Sequence, residues 1–563
     1  MPPFQSLSSL IGAFWRQRSP LTLPALALAC LVPAFFVVYT EEVWEDFLIT
    51  YRHSENLLNG HGLVYTPGER VHGFTSPLNV LLPALFGWLM QVKHFAWPLF
   101  LFRLVSLAGL LLGATVLTAL LQRDESVSRG SRLLALLFPL LMVLEIKTTA
   151  FAMNGQEAGL MVGFLAPTFA LAWLGWPRDN ARLGGLCLAG LMYTRPDGFI
   201  FGGAAILAAL VFTTHSRRDF LRSLLRSVLI AAVLYLPWIV FTTIYYGSPI
   251  PHTIIAKHGM VYGKTGAFGL LTPLVVGFAN LPARVCGIFA AIYDFITIAG
   301  PLTWPGWSRD ACLVFGLITV AYWAVPGPDR LGRTASLACA LMLSYLVYVS
   351  QVAAPAPWYY PPLACLSLFT LLRIFSQVPA RFALRWAPAW SALLCGAVIL
   401  LLGFIHINSV RALRIKQEVV DGGNRREVGQ WLRANVREAE TVFLEPLGYI
   451  GYYSQCKMLD WPGLASPEVV AIRRQIGHIK DYPWGSYLWG KAAEVLKPDW
   501  IVARPTEANQ MKASLALTRD YQLVRVFNVA DQVLAAGDFP GCSINFDDCV
   551  FMIYRRRPIP EGQ

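Results

Sequence analysis

The sequence predicts a multi-pass α-helical membrane protein with a C-terminal α/β domain. Hydrophobic residues make up 55% of the 563 residues and charged residues only 14%, whereas soluble domains carry about 25% charged residues. Apolar runs of about 20 residues, long enough to cross a hydrocarbon core of ~30 Å, recur between Pro20 and Ile407. We count about eleven to thirteen of these runs. Residues 1–407 are therefore expected to form a transmembrane domain and residues 408–563 a second domain.

The distribution of charge predicts the orientation of the chain. The net charge of +12 does not indicate a nucleic-acid-binding protein, because the excess lies in short loops between apolar runs, where the positive-inside rule places it in the cytoplasm. Arg16 and Arg18 precede the first run, which lacks a small-residue cleavage pattern and resembles a signal anchor. The four basic loops are 175–183, 215–227, 326–334 and 373–385. The loops expected outside the cytoplasm are 41–75, 147–156, 195–198, 245–259 and 351–360, together with everything after Ile407.

One loop conflicts with this orientation. The segment Gln122–Leu133 also has the composition of a cytoplasmic loop, yet two apolar runs separate it from the first outer loop. Either Ser76–Met90 is re-entrant or interfacial, or the rule fails at Gln122–Leu133. The predicted location is the inner, or plasma, membrane, with the C-terminal domain outside the cytoplasm.

The C-terminal residues alternate between two periodicities. Helical spacing is found in 426–436 and 467–477, and strand-like runs in 441–446, 499–505, 521–527 and 549–557. Two cysteines, Cys542 and Cys549, flank a short polar segment, and a domain outside the cytoplasm folds under oxidising conditions. We therefore expect a local disulfide between them. The seven cysteines from Cys30 to Cys395 lie in or beside apolar runs and are expected to serve packing.

The first outer loop is the most informative segment, because it is polar and rich in glycine between two apolar runs. It begins with the acid pair Glu45 and Asp46 and reads EDFLITYRHSENLLNGHGLVYTPGERVHGFTSPLN up to Asn79. A membrane enzyme can hold a carboxylate next to water in such a loop. Glu41 and Glu42, just before the pair, are interpreted as solvated acids at a helix end.

Several motifs in a fixed order resemble those of polytopic GT-C glycosyltransferases, including mycobacterial-type terminal arabinofuranosyltransferases and pilin arabinosyltransferases. In the outer loop these are the acid pair, PGER and TSP. The later motifs are NGQEA (154–158), TRPDG (194–198), PIPHTIIAKHG (249–259), WYYPP (358–362), GYIGYYS (448–454) and MLDWPGLASPEV (458–469). The chain departs from the family pattern in four places, with Glu45 for aspartate, His72 for an acid, His252 for asparagine and Trp358 for arginine.

The resemblance implies a GT-C fold and transfer of a sugar, with inversion, from a polyprenyl phosphate to an acceptor hydroxyl on the outer face of the membrane. This chemistry needs a carboxylate that takes the acceptor proton and cations that stabilise the departing phosphate. Asp46 is the candidate base, and Glu45 tunes its pKa or positions the sugar. Arg52, Arg195 and Lys257 are candidate phosphate contacts. The other candidate donor-binding residues are Glu157, Asp197, His252 and Tyr360.

Each candidate also has a structural interpretation. Arg195 and Asp197 fit an ion pair at a helix end, because charges at membrane depth are usually paired. Lys257 is alternatively a snorkelling lysine at the membrane interface. Glu157 is alternatively an acid at the N-terminus of a helix, and His252 is alternatively a hydrogen-bonded loop residue. Trp358, Tyr359 and Tyr360 fit either an interfacial aromatic belt or a sugar-stacking platform.

Arabinofuranose is the favoured sugar, and a glycan, lipid or protein is the expected acceptor. One alternative is a hexose of the mannose type, transferred to protein, lipid A or polysaccharide. Another is a transporter or flippase for a lipid-linked sugar, although the sequence lacks the internal repeats of many transporters. A third is a membrane scaffold whose C-terminal domain binds a partner. Glu45 and Asp46 are candidate ligands of a divalent cation, and the sequence does not determine whether a metal is required.

Overall fold

The structure is a computed structural model that describes residues 7–16, 18–123, 134–261, 278–292, 304–349, 356–381, 387–476, 488–546 and 548–558. It is mostly helical and contains one five-stranded sheet. The chain forms two compact units. The first unit comprises Met1–Glu41, Phe100–Trp238 and Pro273–Val410, and the second comprises Glu42–Leu99, Ile239–Thr272 and Arg411–Gln563.

Apolar helices make up the first unit. Those that lie within it are Leu7–Arg16, Thr22–Thr40, Phe138–Leu144, Ile146–Met153, Ala158–Trp173, Ala181–Thr194, Gly198–Phe212, Leu281–Cys286, Gly306–Ala321, Arg330–Val349 and Pro361–Arg381. Three further helices contain points where the chain passes from one unit to the other, and these are Ala96–Arg123, Arg217–Tyr246 and Ala387–Ile415.

Four helices of the described chain are long and apolar enough to cross a membrane. They are Thr22–Thr40, Ala96–Arg123, Arg217–Tyr246 and the continuous helix Ala389–Asn435. A fifth span would combine two segments that meet at a 65° bend, Ala135–Leu144 and Ile146–Met153. Three further apolar helices are shorter, and these are Pro77–Met90, Ala158–Trp173 and Gly198–Phe212. The predicted eleven to thirteen crossings would therefore have to include short and bent helices.

The helix Pro77–Met90 bears on the conflict in the charge pattern. Its 14 residues span about 21 Å at 1.5 Å per residue, less than the ~30 Å of a hydrocarbon core. This length favours the alternative in which the segment does not cross the membrane. The loop Gln122–Leu133 lies largely outside the described residues.

Small residues allow two helices of the first unit to pack closely. A Cβ atom on Gly109 would lie 2.8 Å from the carbonyl oxygen of Gly159, and one on Gly163 would lie 2.9 Å from the Cα of Gly109. Both distances are too short for a side chain. Such contacts between helices through small residues are common in membrane bundles, and here they join Ala96–Arg123 to Ala158–Trp173.

The sheet belongs to the second unit and has the strand order β2-β1-β3-β5-β4. The strands are β1 (Thr441–Leu444), β2 (Lys457–Asp460), β3 (Trp500–Ala503), β4 (Tyr521–Asn528) and β5 (Val550–Arg556). Strands β2, β1 and β3 are parallel, with Val442 paired to both Met458 and Trp500, and β5 runs antiparallel to β3 and β4.

Helices cover both faces of this sheet. Val442 and Leu444 of β1 point into one core with Val428 and Ile450, and Phe443 points into the opposite core with Trp489. The helices of this unit outside the segments above are Glu45–Leu58, Pro77–Met90, His252–Val261, Arg426–Asn435, Gly448–Ser454, Pro467–Ile476, Trp489–Leu496, Pro505–Ala513, Leu515–Asp520 and Ala530–Ala535, and a π-helical segment spans Lys416–Arg425.

The secondary structure expected for the C-terminal residues is confirmed by two helices and four strands, Arg426–Asn435, Pro467–Ile476, β1, β3, β4 and β5. Strand β2 was not predicted from the sequence. The disulfide prediction is wrong, since Cys542 and Cys549 are not bonded to each other. Asn545 lies between them, with its amide 3.9 Å from the Cys542 sulfur and its carbonyl oxygen accepting from the Cys549 thiol at 2.7 Å.

Candidate functional site

The acid pair opens the helix Glu45–Leu58, which we call the acidic helix. Glu45 and Asp46 occupy its first turn after Trp44, and both are half-buried. Backbone N–H groups at a helix N-terminus stabilise negative charge by about 0.3–1 kcal/mol, so this position favours ionised carboxylates. Glu41 is exposed, as expected of a solvated acid, but the same interpretation of Glu42 is wrong because Glu42 is only 2% exposed.

Glu45 is held by the C-terminal residues of the second unit. One carboxylate oxygen accepts from the backbone N–H of Gly448 at 3.0 Å, and the other pairs with Arg425 at 2.7 Å. Burial raises the pKa of Glu45, and the adjacent Arg425 opposes this rise. Both oxygens are therefore engaged by the protein itself.

Arg52, a predicted phosphate contact, lies about two turns after Glu45 on the acidic helix and is 1% exposed. Its two Nη atoms donate to the carbonyl oxygens of Gly451 at 2.6 Å and Cys456 at 3.1 Å. Its guanidinium lies 4.3 Å from the ring centre of Tyr65. These contacts give Arg52 a structural role in joining the acidic helix to the C-terminal residues.

Two other predicted residues share the helix His252–Val261. The backbone N–H of His252 donates to the carbonyl oxygen of His72 at 3.0 Å. Burial lowers the pKa of the His252 imidazole, so this ring supplies no positive charge at neutral pH. Lys257 is exposed and carries a positive charge.

A cluster of buried charges in the second unit, which the sequence motifs did not indicate, extends from Glu45. Arg425 bonds Glu45, Asp421 and Asp548, and Arg504 bonds Asp548, Glu445 and Glu507. Burial alone would raise the pKa of Asp548, but Arg425 and Arg504 hold that pKa well below its usual range. No family motif covers Arg425 or Asp548, so only the fold reveals this cluster.

Replacing Asp548 with asparagine is expected to lower the free energy of unfolding by about 2–3 kcal/mol at pH 7, because both arginines lose a charge-assisted hydrogen bond but keep other carboxylates. The pKa of Asp548 is lower in the folded state than in the unfolded state. Its stabilisation is therefore complete above pH ~4 and is lost as the pH falls toward the folded pKa. Denaturant unfolding of wild type and variant at several pH values should show the difference shrinking below pH ~4.

The control for this measurement is Asp531→Asn, which changes an exposed aspartate. It is expected to alter stability by less than about 0.5 kcal/mol. A difference between wild type and Asp548→Asn that stays constant from neutral to acid pH would contradict the assigned ion pairs.

Three predicted residues meet in the first unit. Arg195 donates from Nη1 to Glu157 at 3.0 Å and from Nε and Nη2 to the two oxygens of Asp197 at 2.9 and 3.3 Å. The Tyr345 hydroxyl donates to Asp197 at 3.0 Å, and the Arg195 guanidinium lies 4.2 Å from the ring centre of Tyr359. The motifs NGQEA, TRPDG and WYYPP thus come together at one place.

This arrangement lines a small, partly open cavity of about 10 Å³, roughly the space of one water molecule. Its walls include Glu157, Arg195, Trp358 and Tyr359. Two carboxylates share one guanidinium, so the group carries a formal charge of −1. Carboxylates beside aromatic faces suit the hydroxyls and apolar face of a sugar better than they suit a phosphate.

Tyr360, the remaining candidate, does not line this cavity. It is 1% exposed, and the ammonium of Lys147 lies 5.8 Å from its ring centre. Lys147 is itself buried and paired with Glu145 at 2.6 Å. Tyr360 therefore belongs to a separate buried group within the first unit, and its neighbours Trp358 and Tyr359 line the cavity instead.

The described residues contain no group of three or more histidine, cysteine, aspartate or glutamate side chains that could hold a metal ion. The acid pair alone offers two carboxylates, one of which is already bonded to Arg425.

Comparisons of sequence place this chain beside known proteins. The model of a domain of unknown function, DUF8728, matches residues 411–551, which include β1 to β4. A terminal β-(1→2)-arabinofuranosyltransferase of Mycobacterium tuberculosis is 30% identical over 344 residues, which are 55% of this chain and 53% of that protein. The match therefore spans about half the length of this relative.

Comparisons of structure extend over most of the chain. The oligosaccharyltransferase of Archaeoglobus fulgidus, tethered to an acceptor peptide, aligns with a TM-score of 0.51 and 14% identity over 92% of this chain and 74% of that one. ArnT from Cupriavidus metallidurans, bound to undecaprenyl phosphate, aligns with a TM-score of 0.51 and 12% identity over 95% and 98%. Together with its apolar helices and small C-terminal sheet, these likenesses show that the chain is a multi-pass membrane protein with the fold of the GT-C glycosyltransferases.

Proposed function

We propose that the chain is an inverting membrane glycosyltransferase that moves arabinofuranose from a polyprenyl phosphate to an acceptor hydroxyl on the outer face of the membrane. The observation that carries the proposal is the joining of Glu157, Arg195 and Asp197 beside Trp358 and Tyr359. The sequence likeness to a terminal arabinofuranosyltransferase supports the pentose. The likeness to a protein bound to undecaprenyl phosphate supports the lipid carrier.

The proposed reaction has one displacement. The acceptor oxygen attacks the anomeric carbon from the side opposite the phosphate, the bond from that carbon to the phosphate oxygen breaks, and polyprenyl phosphate leaves. Asp46 takes the acceptor proton as the new bond forms. The carboxylates of the cavity accept hydrogen bonds from sugar hydroxyls, and Arg195 keeps them paired and in place.

Lys257 is the proposed phosphate contact, because it is exposed, because an ammonium group binds phosphate as a point charge, and because it lies in the motif PIPHTIIAKHG (249–259). Lys257→Ala is expected to weaken donor binding about tenfold, with a loss that diminishes at high salt, because an exposed charge is screened. Lys257→Arg should retain most of the affinity. Titration of a polyprenyl-phosphate sugar into protein in nanodiscs measures both variants, and unchanged affinity in Lys257→Ala would remove this residue from the site.

The activity is tested by supplying the purified protein with polyprenyl-phosphate donors that carry arabinofuranose or mannose. Release of polyprenyl phosphate with a new glycosidic bond is expected from the pentose donor. Faster turnover of the mannose donor would select the hexose alternative. Movement of intact lipid-linked sugar across a proteoliposome membrane, without cleavage of the bond between sugar and phosphate, would favour the transporter alternative. Mass spectrometry of the lipid that copurifies with the protein identifies the natural carrier.

The outer-face assignment has its own test. The proposed location of everything after Ile407 outside the cytoplasm is supported by the basic loops, which the positive-inside rule assigns to the cytoplasm. A reporter that is active only in the cytoplasm, fused after Gln563, should therefore give no signal. Strong activity from this fusion would reverse the proposed orientation of the whole chain.

A further inference from the structure

The charge cluster around Arg425 meets the acidic helix at its first turn. Glu45 is the point of contact, since it bonds both Arg425 and the backbone of Gly448. A Cβ atom on residue 448 would lie 2.3 Å from the Glu45 Cγ, so only glycine permits this close approach. The position of Glu45 is thus fixed by two independent contacts with the C-terminal residues.

Arg425 is suited to hold this position rigidly. It is 4% exposed, and three carboxylates, Glu45, Asp421 and Asp548, bond its guanidinium. Asp548 is bonded in turn by Arg504. Arg425 ends the π-helical segment Lys416–Arg425, and π-helical turns occur frequently at functional sites.

We propose that Arg425 is a positioning residue, which holds Glu45 and thereby sets the direction in which Asp46 faces its substrate. Successive residues of an α-helix lie about 100° apart around its axis. When Glu45 is held against Arg425 and Gly448, the rotation of the helix about its axis is fixed, and with it the side of the helix on which Asp46 lies. The inference rests on the proposed function, in which Asp46 is the base.

The decisive comparison is between Arg425→Gln and Arg504→Gln. Both substitutions remove a partner of Asp548, but only Arg425 bonds Glu45. Arg425→Gln is expected to lower kcat about 10–100-fold, because small displacements of a reacting group cost rates of this order, while the Kd of the donor stays within about threefold. Arg504→Gln should lower the Tm by a similar amount and keep kcat within about threefold. If the two variants have equal Tm and lose kcat equally, Arg425 has only a structural role and the proposal is wrong.

A double-mutant cycle separates positioning from general damage. Glu45→Gln alone is expected to lower kcat less than Asp46→Asn does. When it is combined with Arg425→Gln, the double variant should be no slower than Arg425→Gln alone, because both substitutions remove the same ion pair. Additive losses would show that the two residues act independently and would overturn the proposal.

A measurement without turnover distinguishes failure of this inference from failure of the proposed function. Hydrogen exchange in peptides covering the first two turns of the acidic helix is expected to be faster in Arg425→Gln than in wild type and Arg504→Gln. Unchanged exchange in Arg425→Gln would reject the positioning role even if the enzyme transfers arabinofuranose. If exchange is faster in Arg425→Gln but the wild-type protein transfers no sugar, the contact between Arg425 and Glu45 is retained and the proposed reaction is rejected.

Discussion

Asp46→Asn is expected to abolish measurable sugar transfer while the protein folds and binds its donor. A general base contributes about 10²–10⁴-fold to a reaction rate, and asparagine keeps the shape of aspartate but cannot accept the acceptor proton. The side chain is half-buried in the first turn of the acidic helix, so its loss should change stability little. Release of polyprenyl phosphate from the donor in nanodiscs measures the rate, and titration of the donor measures the affinity.

Glu41→Gln is the matched control, because Glu41 is an exposed acid a few residues before Asp46. Its kcat should equal that of wild type. If Asp46→Asn turned over at nearly the wild-type rate, Asp46 would lose the role of base, and Glu45 would become the candidate despite its bonds to Arg425 and Gly448.

Arg195→Ala is expected to destabilise the first unit by about 3–5 kcal/mol, because removing one partner of a buried ion pair leaves uncompensated charge. Here two carboxylates, Glu157 and Asp197, would remain with side chains only 6% and 14% exposed. Arg195→Lys should rescue only part of the loss, since a single ammonium cannot reproduce the planar fork that bonds both acids. Thermal unfolding in detergent and the transfer rate are measured together.

Arg178→Ala supplies the comparison, because Arg178 also pairs with an aspartate, Asp219, at 2.9 Å, but with side chains 63% and 54% exposed. Surface pairs of this kind contribute little to stability because solvent screens them, so Arg178→Ala is expected to lower stability much less than Arg195→Ala. Neutralising the cavity by combining Arg195→Ala with Glu157→Gln and Asp197→Asn should restore much of the stability. Full activity in that triple variant would show that the cavity does not bind the sugar.

The sequence reveals this fold well because its main signals are local. Apolar runs indicate membrane helices, and the periodicities of 426–436 and 549–557 match the helix Arg426–Asn435 and strand β5. The motif residues Glu157, Arg195 and Asp197 were candidates from three separate considerations, and the structure brings them within hydrogen-bond distance.

Other features depend on partners that are distant in sequence. Arg52 has the residue type of a phosphate contact, and only the fold shows that its donors face the carbonyl oxygens of Gly451 and Cys456. Cys542 and Cys549 have the spacing of a local disulfide, but Asn545 lies between their sulfurs. Spacing alone reports neither the direction of a side chain nor what occupies the gap.

The pairing of Glu45 with Arg425 across 380 residues has a consequence for biosynthesis. At roughly 5–20 residues per second, the ribosome needs about 20–75 s to make Arg425 after Glu45 has emerged. During that time the acidic helix has none of the C-terminal strands against which Ile49 and Tyr65 later pack. Nascent chains halted before residue 425 are therefore expected to be targets of proteases and chaperones, and a late truncation would remove a partner of a helix made 380 residues earlier.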